Sequence, residues 1–191
     1  MRTLLLVCYL MVITSCSSQR PTVDVSFKAP EIHHVVNEND LKIADYTPHS
    51  ETLKKIEVPE YKFVYNKDYK LRDKIVGINF DWSKKQNDIA YYDNLDVRTL
   101  EELILNNHIN PNDAQNAAPF VRDIFYFMTK YPQVLASGYL VGPSRDDYRI
   151  SIDGLYVPNK YVTEEIKSEF IEFCMDADEL NTEENLMSWW D

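Results

Sequence analysis

The stretch VLASGYLVGPSRDDYRISIDGLYV, residues 134–157, decides the fold class. Val134 to Val141 and Tyr148 to Val157 are rich in strand-forming residues, and between them Gly142-Pro143-Ser144-Arg145-Asp146-Asp147 concentrates turn chemistry. A β-hairpin is predicted. On its N-terminal side Phe120, Ile124, Phe127, Met128 and Tyr131 recur at helical spacing, with Val121 and Phe125 widening the stripe. Pro119 fits the first turn of that helix, where its missing donor costs little, and Pro132 ends it. On the C-terminal side Thr163 is the expected N-cap of a helix running to about Ala177. Its apolar face is Ile166, Phe170, Phe173, Cys174 and Ala177, and Glu164, Glu165, Glu169, Glu172 and Asp176 lie outward or near its start.

Further out, Tyr61 to Tyr65 alternates like a strand, and Lys74 to Phe80 reads as a second one, so a first hairpin is expected. Thr99-Leu100-Glu101-Glu102 has the form of a capping box and predicts a helix to about residue 107, broken by Asn110-Pro111-Asn112-Asp113. Thr182 to Trp190 reads as a last turn or short helix. The order strand, strand, helix, helix, strand, strand, helix predicts an α+β fold. Residues 59–191 would form a single domain in which antiparallel hairpins pack against three or four helices. The 191 residues, 45% of them hydrophobic, suffice for one such core.

The first residues read as an address. Arg2 precedes an apolar run, Leu4 to Ile13, that is too short to span a bilayer as a helix and has the form of a signal peptide. The run ends in Ile13-Thr14-Ser15-Cys16, which resembles the lipobox of bacterial lipoproteins. That resemblance covers only the first sixteen residues. It implies cleavage of residues 1–15, lipidation of Cys16 and a stable membrane anchor in the bacterial envelope, since several acyl chains hold where one is marginal. Ser17 after that cysteine points to the outer membrane of a two-membrane cell under the enteric sorting rule, facing the periplasm or the cell surface. Residues 16–58 have no glycine, hold Pro21, Pro30 and Pro48, and show no sustained period, so they are expected to form an extended tether.

The net charge of -11 argues against nucleic acid as a partner. Much of that charge is local: from Glu164 to Asp191 there are ten acids and one base, Lys167. An acidic surface of this kind is a solvated face or a docking surface for a basic protein. In the second case Glu165, Glu169, Glu172, Asp176 and Glu183 would meet the partner, with Trp189 and Trp190 as aromatic anchors or as core plugs. No cofactor or metal is expected, because Asp176, Asp178 and Glu179 fail the calcium-loop spacing and His33, His34, His49 and His108 lack zinc-site spacing. Cys174 reads as a buried, inert thiol whose acidic neighbours would raise its pKa.

The sequence carries no catalytic signature, and a non-catalytic protein-binding lipoprotein is the function it suggests, of the kind that an immunity or inhibitor protein against a basic toxin would be. An alternative is an envelope hydrolase or glycan-binding protein using Asp81, Asp93 or Asp153 with Tyr61, Trp82, Tyr91 and Tyr92 as sugar platforms. A third reading is an assembly subunit of an envelope complex.

Overall fold

A computed structural model describes residues 31–57, 62–84 and 88–191. The signal segment, Cys16 and Tyr61 lie outside the described residues. The fold is α+β, a six-stranded mixed sheet with five α-helices. In chain order the elements are β1 (Ile32–His34), α1 (Ser50–Glu57), α2 (Tyr69–Val76), β2 (Ile89–Leu95), α3 (Val97–Leu105) and α4 (Val121–Lys130). They continue with β3 (Leu135–Val141), β4 (Ile150–Val157), α5 (Glu164–Phe173), β5 (Glu179–Asn181) and β6 (Leu186–Trp189). The strands lie in the order β1-β2-β3-β4-β6-β5, with β1 parallel to β2 and every other pair antiparallel.

The hairpin that decided the class is β3–β4, with Leu140 opposite Ile150. The helix before it is α4, with Val121, Ile124, Phe125, Phe127 and Met128 buried, while Phe120 stays outside as N-cap, 42% exposed under the Arg122 guanidinium. Pro119 therefore precedes the cap rather than entering the first turn. Thr163 caps α5 by accepting from the Ile166 amide at 3.3 Å, and Ile166, Phe170 and Cys174 face inward. The helix ends at Phe173, four residues before Ala177.

Four expectations are corrected. Residues 62–68 form no strand, and the segment after them is the helix α2. Asp68 accepts from the Leu71 amide at its start, and Gly77 closes it at φ 75°. In place of a first hairpin, the strand beside β3 is Ile89–Leu95, whose alternation sets Ala90 and Tyr92 inward. The N-cap of α3 is Asp96, which accepts from the Thr99 amide at 2.9 Å, so the helix starts before the Thr99 box and buries Glu101. The C-terminus is the β5–β6 hairpin rather than a helical turn.

Residues 31–57 belong to the fold and not to a free tether. β1 pairs with β2, sending His33 and His34 to opposite faces; His33 meets Phe80 edge to face and His34 Nδ1 lies 2.5 Å from Asp93. Buried Glu101 accepts from the Tyr46 hydroxyl and from the His49 amide at 2.7 Å. Lys55 donates to the Leu105 carbonyl at 2.6 Å, a cation placed at the negative end of α3.

One core joins the two layers. Ala136, Leu140, Ile150, Ile152, Leu155 and Leu186 from the inner face of the sheet meet apolar side chains of all five helices. At one end Arg72, fully buried on α2, donates Nη1 to the Val141 carbonyl at 2.7 Å and Nε to Asp73 at 2.9 Å. Asp73 in turn accepts from the Trp82 indole at 2.6 Å, and the guanidinium lies 5.0 Å from the Trp82 ring and 4.8 Å from the Tyr148 ring. Removing the guanidinium leaves a buried carboxylate without its charge partner. Arg72→Met is therefore expected to lower unfolding stability by about 3–5 kcal/mol in urea titrations. Arg72→Lys should recover only part, because an ammonium cannot reproduce the planar fork.

Candidate functional site on the open sheet face

The residues that alternate with the core side chains form a second, helix-free face. Tyr91 lies opposite Tyr139 and Tyr139 opposite Ser151. Gly154 lies opposite Trp189, and Trp189 opposite Glu179. A cavity of about 230 Å³ opens on this face, lined by Tyr91, Tyr139, Arg149, Asp153 and Trp189 together with Asn116 and Asp191.

A β-bulge builds it. Gly138 pairs with Ile152 and Ser137 with Gly154, so Asp153 has no partner across the ladder and β4 carries one extra residue there. Two glycines permit this crowding. A Cβ on Gly138 would stand 2.0 Å from the Ser151 carbonyl oxygen, and one on Gly154 would stand 2.5 Å from Ser137 Oγ and 3.3 Å from the Trp189 ring. The bare backbone of Gly154 is what lets Trp189 lie close against the sheet.

The polar groups fall into two sets. Arg149 is committed on every arm: Nε to Ser151 Oγ at 3.1 Å, Nη1 to Asp147 at 2.9 Å and Nη2 to the Tyr139 hydroxyl at 3.1 Å. Arg145 holds the same Asp147 through Nε at 2.8 Å and Nη2 at 2.9 Å, and this pairing keeps the Asp147 carboxyl well below the usual carboxylate range. Asp153 is different. It is 3% exposed, and its Oδ1 has no hydrogen-bond partner among the described residues. Burial pushes its carboxyl up to about 7 against the pull of its own backbone amide, and the Asp191 carboxylate adds to the rise.

The expected site residues are thus redistributed. Asp153 and Tyr91 share the cavity. Asp81 sits in an exposed turn holding Ser83, Asp93 is tied to His34, Trp82 is spent on Asp73 and Tyr92 is in the core with its hydroxyl on the Ser151 carbonyl. Trp190 is 1% exposed and cannot serve as an interface anchor; as a neighbour of Trp189 on an extended strand it must point to the other face. Glu165, Glu172, Asp176 and Glu183 are exposed, and Glu169 pairs with Lys130 at 2.8 Å. Cys174 is buried, and burial rather than acidic neighbours pushes its thiol up to about 12. Tyr139, Arg149 and Asn116 were not legible as site residues, although glycines inside both strand runs of the hairpin signal a bulge or a close approach.

No family model, curated protein or solved structure matches this chain. What the fold and the site define is an α+β domain with an acid- and aromatic-lined cavity on the uncovered face of its sheet.

The buried carboxyl has a pH signature. Its pKa stands near 7 in the folded protein against 3.8 ordinarily, so the folded state holds a proton that the unfolded state releases between those values. Stability contributed by the protonated form is therefore lost as pH rises from about 4 to about 7. Asp153→Asn should match the parent at pH 4 and exceed it by up to roughly 4 kcal/mol at pH 8, measured by denaturant unfolding across the range.

Proposed function

We propose that this chain is a lipid-anchored protein of the bacterial envelope that acts by binding a basic protein partner, in the manner of an immunity or inhibitor protein that covers a toxin's basic surface. The observation that carries this reading is the surface of α5 and the turn after it. Exposed Glu164, Glu165, Glu172 and Asp176 stand with two apolar side chains, Ile171 at 39% and Met175 at 71% exposure. Ile171 lies in the last turn of α5 and Met175 in the turn that follows the Cys174 cap. An apolar pair among carboxylates is the composition of a docking surface, with desolvation at its centre and steering charge around it.

Two features support a basic partner over a neutral one. Lys167 is the single base among ten acids from Glu164 to Asp191, and the nearby Lys130 is paired with Glu169. The field over this surface is therefore negative and raises the encounter rate with a positive one. The lipobox at Ile13-Thr14-Ser15-Cys16 supports the location. Among the described residues no helix is long and apolar enough to cross a membrane.

The test is cross-linking of the tagged protein in its own cells, followed by mass spectrometry of what is captured. Reversal of Glu172, Asp176 and Glu183 to lysine is expected to reduce capture of a basic partner by at least about tenfold with the thermal midpoint unchanged, because these side chains are exposed. Undiminished capture by that variant would overturn the acidic-surface reading. Cys16→Ser should move the protein from the membrane pellet to the soluble fraction, and retention in the pellet would remove the anchor.

A further inference from the structure

In the cavity around Asp153 a buried acceptor stands without a partner, while the two guanidinium groups beside it are engaged. The Arg149 fork is spent on Ser151, Asp147 and Tyr139, and Arg145 bonds Asp147. Even the Asn116 amide is directed at the Trp190 carbonyl, at 3.5 Å. Asp153 Oδ1, by contrast, is buried with no donor among the described residues. Leaving a carboxylate in this state is costly, and a buried charge of this kind is normally paired. A ligand that completes the site must bring a hydrogen-bond donor to Asp153 and positive charge to offset its carboxylate. A lysine ammonium has that inventory, three donors and no acceptor. Trp189 and Tyr91 supply aromatic faces for the aliphatic stem and for cation–π attraction. A volume of about 230 Å³ suits one long side chain rather than a chain segment.

A saccharide fits less well, because its hydroxyls bring no positive charge to offset a buried carboxylate. Of the charged groups lining the cavity, Asp147, Asp153 and Asp191 stand against Arg145 and Arg149, one acid in excess when Asp153 is ionised, and Glu179 stands opposite Trp189 in the sheet. We infer that this cavity is a lysine-recognition pocket, in which Asp153 receives the ammonium of a side chain presented by the basic partner. The inference rests on the protein-binding reading above and names the anchor residue that partner must carry.

The pocket is tested on the full-length lipoprotein in detergent, by following the Trp189 indole N–H resonance, assigned with Trp189→Phe. The probes are Nα-acetyl-lysine N-methylamide, its norleucine analogue, which keeps the four-carbon stem and lacks the ammonium, and methyl N-acetylglucosaminide. The lysine probe is expected to shift the resonance with a Kd of about 1–10 mM, a range reasonable for one side chain. The norleucine probe should not shift it, and Asp153→Asn should weaken the lysine effect at least about tenfold. Asp153→Asn is not expected to unfold the protein, and its melting curve verifies this. A Trp189 shift with the sugar alone, equal response to norleucine, undiminished binding by Asp153→Asn, or no response up to about 50 mM each overturns the pocket assignment. Its failure is separable from that of the docking reading: capture that is lost on reversal of Glu172, Asp176 and Glu183 but kept in Asp153→Asn leaves the partner and removes the pocket.

Discussion

The buried guanidinium of Arg72 is the constraint on which the rest of the molecule depends. It is the one charged side chain among the largest fully buried ones, and it answers three demands at once: the Asp73 carboxylate, the Val141 carbonyl and the faces of Trp82 and Tyr148. A charge is tolerable in such a place only if it is paired, and the Nε and Nη1 bonds, with Nη2 2.8 Å from the Asp73 carboxylate, pin α2 to the last residue of β3. That residue also begins the turn from Gly142 to Asp147, which carries Arg145 and Asp147 to the cavity on the other face. Core and site are therefore joined through one strand end.

On the open face the sheet stores an unfavourable group. A regular ladder would give Asp153 a partner across the strand and a fixed alternation. The bulge instead leaves it without a partner on β3, its carbonyl accepting from the Trp190 amide at 2.8 Å and its side chain beside Trp189, within reach of the Asp191 field. Nothing in packing requires an acid there, since a buried carboxyl with one oxygen unpartnered lowers stability. Groups of this kind concentrate where a protein binds or reacts. Asp147 pairs with both neighbouring arginines, and with Asp153 ionised the acids lining the cavity, Asp147, Asp153 and Asp191, outnumber Arg145 and Arg149 by one.

The two surfaces proposed for binding are connected by the C-terminal hairpin. The acidic face of α5 leads into β5, where Glu179 stands opposite Trp189, and β6 continues to Asp191 at the cavity. Asp178 accepts from the Asp191 amide at 2.9 Å and holds the end of the chain against this hairpin.

Much of the fold was legible in the residues themselves. The hairpin of residues 134–157 is bounded by a turn cluster, the stripe of α4 by proline, and the start of α5 by a threonine cap, and all three are local signals. The segments misread had periods that local chemistry left open. Residues 74–80 are apolar enough for a strand, but the Asp68 cap and Gly77 make Tyr69–Val76 a helix. Thr182 to Trp190 became strand because β4 offered an unpaired edge. Residues 31–57 had no pattern of their own and are ordered by β2 and Glu101, partners far along the chain. By itself the sequence determined the α+β class, the central hairpin, the amphipathic α4 and α5 and the concentration of acid at the C-terminus, because each follows from short-range periodicity and composition. Only the tertiary structure decided that Trp189 is outside and Trp190 inside, and that Asp153 stands unpaired in a cavity with Tyr139 and Arg149. Both depend on strand register and a one-residue bulge, which long-range hydrogen-bond pairing sets.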